Sequence, residues 1–577
     1  MYTGIELINL LEKQHQKRSQ SGLFKKDTFT IQWRAKVGSF PHPDVETIVS
    51  AGEPCGAWRP GQGRRPEDKR NVGENWQQLR TLPLNGYIPG SCIRGLVRAW
   101  AKERPEIRPK MYQLLGYQEN DKITPGKIEF LDAWPETATK LSLDIVNPQQ
   151  EFQVYHQGQC TPLSLYTLGN GEDKIPVIVA IRGIPEKATE EEVSEVWEWV
   201  RQALSLYGVG SRTASGYGAL KTSVAAQNPT PDPNYLVKQF EFSLYSQGSA
   251  GPHTQTMELR PSHWRGWLRS WLMRFFLGVM PENLAKLTVA ELMGEIDAGD
   301  GKSRKGCVRL QMIQGKPWEE RSENQPSFYL WKGKLQISAP KDILNKIILP
   351  IIRFAVMVGG VGRGWRRPLH IFCMNNGRAA SRGTQLILTH KLQDQNTGEL
   401  KSKNFGLPLD STIWTKAYSD WIIAVQNYWS DRVSINNRNI RAEVFSPTTC
   451  AIYAVPGPDV NPIETRLLKW EQTNNVEATR GDGMYLIYHE NHPQNYKRNP
   501  DLGGNAAGGG NGHCSWVSIK RVNIPNIQEE TKCQEIVCLF MGGQTPNTTH
   551  VRSRFLRDLK NINGNVHLFG VQPPAEI

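Results

Sequence analysis

The sequence predicts an α+β fold of tandem, related domains, and three observations lead there. Short alternating strands and amphipathic helices follow one another along the chain. Two unlike sequence elements recur in the same order, 171 and 152 residues apart. The chain of 577 residues leaves room, at about 150 residues per domain, for three to four domains. Composition narrows the class further. Lys and Arg outnumber Asp and Glu by 69 to 56, a formal charge of +13, and 18 Trp, 17 Tyr and 17 Phe accompany a 38% hydrophobic fraction. That balance excludes a fibrous protein, a coiled coil and an acidic tail protein. It suits a polyanion binder and leaves open a basic protein that is merely soluble.

In chain order, residues 1–27 read as a helical extension with Ile5, Ile8 and Leu11 on one side, too short in apolar core for a secretory leader. A first domain, 28–226, opens with TFTIQWRAKV from Thr28, which alternates like a half-buried strand. The stretch from Gly38 to Asn85 lacks apolar periodicity, carries GAWRPGQGRRPEDKR and reads as a long loop. A helix follows from about Ser91. Thr189 and Glu192 form a capping-box pattern for a helix whose stripe is Val193, Val196, Trp197, Val200, Leu204 and Tyr207, stopped by Gly208. The proline-rich NPTPDPN marks a linker, 227–237. A second domain, 238–382, opens with the alternating QFEFSLY from Gln239. Its apolar run from Ile347 to Gly362 contains Pro350 and Arg353, which makes it a buried helix and not a bilayer span. The third segment, 383–577, begins with QLILTHKL and contains a glycine run at 503–512 that reads as a loop.

The recurring elements carry the chemistry. RGLVRAW at 94–100 returns as RGWLRSW at 265–271, each after a proline-bearing approach. In the first copy Ser91 reads as a helix cap, leaving backbone N–H groups and the positive end of the helix dipole for an anion. Arg94 and Arg98, four apart, share a face, and Arg265 and Arg269 repeat them. The readings are a phosphate cradle or a solvated cationic face. The second element is YGVGSRTASGYGALK at 207–221, matched by GGVGRGWRRPLHIF at 359–372. Gly208, Gly210, Gly216 and Gly218, with Ser211, Arg212 and Thr213, form a loop able to lie close against a ligand and suited to sugar–phosphate contact. The second copy offers Gly360, Gly362, Arg363, Trp365, Arg366 and Arg367, more cationic and with a stacking surface. The alternative is a glycine-rich turn between helix and strand.

Other constellations are sparse. Nine irregularly spaced cysteines argue against a disulfide framework and for a reducing cytoplasm. His513, Cys514, Cys533 and Cys538 supply four metal ligands on paper, but no close CxxC pair anchors them, and ordinary thiols are the preferred reading. His42, Asp44 and Glu46 sit in the long loop, with Asp68 further along; a lone aspartate there, Asp44, could assist metal-dependent RNA cleavage, the plainer reading being solvated loop acids.

Several motifs now converge. IPGSCIRGLVRAW, KIEFLDAWP (127–135), LDIVNPQ (143–149) and GVGSRTASGYG, in that order, resemble the RAMP-superfamily subunit that ends the backbone of Cmr-type (type III) CRISPR effector complexes. The second part, with FEFSLYSQGSAG, MELRPSHWRGWLRSWLMRFF and GGVGRGWRRPLHIF, is similar to the Cmr subunit capping the same end, so the chain looks like a fusion of two neighbours. The resemblance implies tandem ferredoxin-like, RRM-related RAMP domains, two clear and a diverged third. It implies a non-catalytic, RNA-binding structural subunit in antiviral defence, whose partners are guide (CRISPR) RNA on its 3′ side, target RNA and other type III subunits. No cofactor, metal or membrane is expected. By motif, the RNA-binding set is Ser91, Arg94 and Arg98; Gly208 to Gly218 with Ser211, Arg212 and Thr213; Arg260, Arg265 and Arg269; and Gly360, Gly362, Arg363, Arg366 and Arg367. The family's cutting subunits place an aspartate after the first strand, which makes a RAMP endoribonuclease using Asp44 the alternative. A general RNA-binding protein outside CRISPR is the second. The family's NPHY-like step reads NPQQ here, at 147–150.

Overall fold

The structure, a computed structural model, describes residues 4–37, 39–42, 45–50, 81–146, 163–222, 235–247, 249–250, 257–296, 303–314, 328–373, 379–393, 398–434, 443–458, 479–489, 496–503, 514–524, 532–542 and 546–573. The chain divides into two compact units. One comprises Met1–Pro148, Cys160–Pro231 and Ala250–Thr254; the other comprises Gln149–Gln159, Asp232–Ser249 and Gln255–Ile577. Asp44, Asp68, the arginine-bearing 59–70 stretch, 147–150, the 228–234 linker, 504–512 and His513 lie outside the described residues.

The first unit runs α1 (Gly4–Lys17), β1 (Phe24–Ile31), α2 (Gly90–Lys102), α3 (Arg108–Leu115), β2 (Ile128–Phe130), β3 (Ile175–Gly183), α4 (Glu190–Tyr207) and β4 (Leu220–Thr222). Its main sheet has the order β4-β1-β3-β2, all antiparallel, with Trp134–Pro135 also paired to β3. Alternation explains the burial. Phe29 and Ile31 of β1 and Val177, Val179 and Ile181 of β3 face α2 and α4, which add Val97, Trp100, Val193, Val196, Val200 and Leu204. On the opposite face Ile8 of α1 packs with Phe24 and Ala180, and Lys26 reaches Asn9 at 3.2 Å and Glu12 at 2.6 Å. The Thr189 capping box is formed, with Glu192 N donating to Thr189 Oγ1 at 3.3 Å and Thr189 N to Glu192 Oε2 at 3.1 Å. A smaller sheet joins Thr81–Asn85, Lys140–Val146 and Leu163–Leu168.

Two expectations change here. The opening strand starts at Phe24 and ends at Ile31; the chain then bends, and Ala35 and Lys36 bridge to Leu168 and Ser211 instead. The stretch expected as one long loop includes a hairpin, Ser39–His42 paired with Val45–Ser50.

The second unit contains β5 (Tyr235–Gln247), α5 (Pro261–Leu277), α6 (Glu282–Met293), β6 (Arg309–Gln314), β7 (Phe328–Pro340), α7 (Leu349–Val358), β8 (Gln385–Gln393), β9 (Leu400–Asn404), α8 (Ser411–Tyr428), β10 (Cys450–Pro456), α9 (Asp482–Tyr488), β11 (Val517–Ile524), β12 (Lys532–Phe540), α10 (Pro546–Lys560) and β13 (Val566–Gly570). β5 pairs with β7 along its whole length, from Tyr235↔Pro340 to Gln247↔Phe328. The sheet order is β6-β7-β5-β8-β9. β8, whose sequence opens the third segment, is therefore the fourth strand of the sheet that β5 begins. A further sheet has the order β11-β12-β10-β13. All three main sheets thus share one plan: the first strand in the chain lies between the third and the fourth, and the second lies outside the third. One apolar core joins Phe240, Trp271, Phe275, Phe354, Trp421, Phe445 and Phe569 across the second unit. The apolar run from Ile347 folds as predicted into a buried helix, α7, which continues a π-helical turn, Ile343–Ile348, and Pro350 follows directly where that wider turn gives way to α-helix. Among the described residues no helix is long and apolar enough to cross a membrane.

Candidate nucleic-acid interface

The helix-start arginines are turned onto the protein itself. Arg94 donates to the Leu115 carbonyl, and Arg98 reaches that carbonyl at 3.4 Å and the Gly116 carbonyl as well. Those are the unsatisfied carbonyls that end α3. In the second copy Arg265 donates to the Met293 carbonyl and Arg269 to Gly294 O at 3.4 Å, ending α6. The match continues downstream. Gly116 and Gly294 both turn with positive φ, 74° and 82°, and a short hairpin returns so that Lys127 N bonds Leu114 O and Val308 N bonds Leu292 O, each at 2.8 Å. Two arginines against the negative end of a helix dipole satisfy the last carbonyls, which the returning backbone N–H groups leave to them. Burial, then the charge of Arg98, lowers the Arg94 pKa; burial, then Arg269, brings Arg265 to about 10.

The helix N-terminus also differs from expectation. Pro89, not Ser91, is the cap residue, and Gly90 N donates to the Asp132 carboxylate at 2.8 Å. An internal anion already occupies the dipole end expected to hold a phosphate, while Ser91 is exposed in the first turn. Arg260, before α5, is 2% exposed and pairs with Glu258 at 3.5 Å.

The glycine-rich loops are built alike. In the first, Val209 N bonds Gly218 O at 2.9 Å and Ser211 N bonds Lys36 O at 2.9 Å. A Cβ at Gly210 would stand 2.2 Å from Lys36 O, and one at Gly218 1.9 Å from Val209 O, so close backbone approach requires both glycines. Gly208 and Gly216 also have positive φ. Between them the loop turns outward: Ser211 and Arg212 are exposed and Thr213 is half-buried. Arg212 has a left-handed backbone at φ 58°, ψ 25°. In the second loop Gly362 and Gly364 have φ of 81° and 79°, 152 residues after Gly210 and Arg212. Gly360 N closes that loop on Trp365 O at 2.9 Å, and Arg363 is exposed at its tip. Among the described residues neither the Arg212 nor the Arg363 side chain has a hydrogen-bond or ion-pair partner.

Arg366 and Arg367 face inward. Arg366 is 8% exposed and shares Glu443 with Arg274, its guanidinium 4.4 Å from the Trp365 ring. Arg367 donates to Tyr488 Oη at 3.1 Å, Ser515 Oγ at 2.8 Å and the Val517 carbonyl. The nine candidate arginines therefore divide by geometry. Arg94 and Arg98 meet on one helix end, Arg265 and Arg269 on another, Arg260, Arg366 and Arg367 stitch the interior, and Arg212 and Arg363 point to solvent.

Sequence reasoning missed the anchor of the first loop. Asp144, fully buried, accepts from Tyr217 Oη at 2.5 Å and lies 3.6 Å from Arg34 Nε, whose guanidinium also donates to Gly169 O at 3.2 Å. The Trp33 and Tyr217 rings sit 4.9 Å apart above it. A lone aspartate in the apolar run LDIV was the available signal. Of the paper metal set, Cys538 is buried, with its thiol pushed well up by burial and then by neighbouring Cys450. Among the described residues no group of three or more His, Cys, Asp or Glu gathers to hold a metal.

Comparison with known proteins adds to this geometry. Residues 70–221 match the RAMP superfamily model. The chain is 30% identical over 154 residues to the CRISPR system Cmr subunit Cmr6 of Pyrococcus furiosus, which covers 24% of this chain and 42% of that protein. The chain thus spans under half the length of the curated relative it matches. The crystal structure of Cmr6 from Pyrococcus furiosus aligns at 20% identity over 35% of this chain and 98% of that one, with a TM-score of 0.18, too loose a superposition to compare folds. Residues 70–221 are thus similar to the RAMP superfamily, and part of the chain is similar to a CRISPR system Cmr subunit.

Proposed function

We propose that the protein is an RNA-binding structural subunit of a type III CRISPR interference complex, built from three ferredoxin-like RAMP domains. It holds guide RNA, on its 3′ side, and target RNA, and acts in antiviral defence without cutting RNA itself. Its partners are the two RNAs and other type III subunits. The shared strand order of the three sheets supports the domain reading. The observation that carries the RNA reading is the pair of glycine loops, each closed by its own backbone hydrogen bonds and each presenting one exposed guanidinium, Arg212 or Arg363, that has no partner among the described residues. A guanidinium beside exposed backbone suits phosphate and ribose contact, and base pairing between guide and target then reads the sequence.

The test is guide-RNA affinity measured against salt for the full chain. Arg212→Ala with Arg363→Ala is expected to weaken binding and to make the log–log salt slope shallower by about 1.4, the counterion release of two single-strand phosphates. Affinity and slope equal to wild type would sink the reading.

A further inference from the structure

Four cations from four separate pieces of the second unit meet around one tyrosine that no motif singled out. Tyr488 ends α9, and the guanidinium of Arg480, just before that helix, lies 5.6 Å from its ring. Arg367, from the second glycine loop, stands 5.7 Å from the ring and donates to its hydroxyl at 3.1 Å. Lys497 Nζ approaches to 5.7 Å from the turn Tyr496–Arg498. Arg382, at the end of the strand Ala379–Arg382, adds a fourth charge and lies 3.9 Å over the Phe372 ring. The buried His370 ring is 5.6 Å away.

Arg382 and Lys497 are exposed, and among the described residues neither forms an ion pair. The buried carboxylate of Glu535 is taken by Gly481 N at 3.0 Å, Met484 N at 2.8 Å and Arg521 at 3.5 Å. The titrating neighbours register the imbalance. Burial pushes the Tyr488 phenol up, yet Arg367, Lys497 and Arg382 outweigh it and hold the phenol below its usual range. Burial, with Arg480, Arg367 and Arg521, brings His370 down to about 3. Cations gathered this closely repel one another, and an anion arriving at the exposed Arg382 and Lys497 offsets that repulsion.

We propose that the Arg367, Arg382, Arg480 and Lys497 cluster seats the phosphate backbone of single-stranded RNA, with the Tyr488 ring as the surface beside it. The proposal rests on the RNA-binding reading above and extends it to a site outside the glycine-loop tips. Exposed cations over aromatic rings are the combination that holds single strands without reading their sequence. Arg367 is the fixed member, tied to Ser515 and Val517, while Arg382 and Lys497 are the groups with room to meet a phosphate.

The experiment uses the full chain and a labelled single-stranded RNA, with affinity measured across a salt series. Arg382→Ala with Lys497→Ala is expected to weaken binding about tenfold and to make the log–log salt slope shallower by about 1.4. Arg382→Lys with Lys497→Arg is expected to retain both. Neither side chain makes a hydrogen bond among the described residues, so the fold should persist; Lys497→Gln alone, with a slope change of about 0.7, replaces the double variant if circular dichroism shows otherwise. An unchanged slope here, while Arg212→Ala with Arg363→Ala still lowers it, overturns this site and leaves the RNA reading standing. An unchanged slope in both overturns both. Equal displacement of the RNA by polyglutamate would mark a surface for acidic protein and also overturn the proposal.

Discussion

Arg212 adopts a backbone that an L-residue other than glycine or asparagine adopts at a cost of roughly 1–2 kcal/mol. The equivalent position in the second loop, Gly364, adopts the same region without that penalty. Strain of this kind persists only where the surroundings impose it, and it points to a use for the side chain. Arg212→Gly is therefore expected to move two properties in opposite directions. Stability to denaturant should rise by up to about 1 kcal/mol, because the left-handed turn is relieved while every backbone bond of the loop remains. Affinity for RNA should fall, because the exposed cation is gone. Arg212→Ala keeps the strain and loses the cation, so its stability should not rise. A loss of stability in the glycine variant would show that the guanidinium serves the fold.

At the scale of elements, the two RGxxRxW helices act as clasps. Arg265→Ala is expected to lower stability by about 1.5–3 kcal/mol, the worth of a charged hydrogen bond to helix-end carbonyls. It should leave the salt dependence of RNA binding unchanged, and Arg265→Lys should not restore the loss, because a point charge lacks the guanidinium fork. A shallower salt slope in Arg265→Ala would return that arginine to the RNA surface. The sequence made the duplication visible because the motif is local, but not the clasp. Leu115 and Met293, which receive Arg94 and Arg265, lie 21 and 28 residues downstream, and a carbonyl acceptor leaves no side-chain signature. The same holds for Arg366, read as one of three loop cations until Glu443, 77 residues on, supplied its partner. By contrast the Thr189 capping box, the alternating β5 and the buried α7 were all legible, since each depends on residues within one element. The long-range parts, namely β8 closing the sheet that β5 opens and Asp144 anchoring Tyr217, rest on pairings that periodicity does not encode.

For the molecule as a whole, the excess of 13 positive charges is partly an interior property. The second unit buries Lys520, 3% exposed, with its ammonium donating to the Leu386 carbonyl; burial, then Arg521, lowers its pKa to about 7. It also holds His263 at about 4, through burial and Arg260, and His370 at about 3. All three are lowered by folding, so the unfolded chain binds more protons and stability rises with pH. For the histidines the contribution is complete above about pH 6.5, their unfolded value, and is lost as pH falls through the range below it. For Lys520 the penalty is full at and below pH 7 and is relieved as pH climbs from 7 toward the unfolded value near 10.4. Above about pH 8.5 an opposing trend begins, because the buried thiols Cys450 and Cys538, both raised by folding, ionise first in the unfolded chain. Thermal or urea unfolding of the full chain should therefore show stability climbing between pH 5 and 8.5. About 1–2 kcal/mol of the climb above pH 7 belongs to Lys520, at 1.36 kcal/mol per pH unit and proton. Lys520→Met should flatten that upper part and leave the histidine-dependent part below pH 6.5 intact. A variant whose upper climb matches wild type would mean that Lys520 is not the proton that folding displaces.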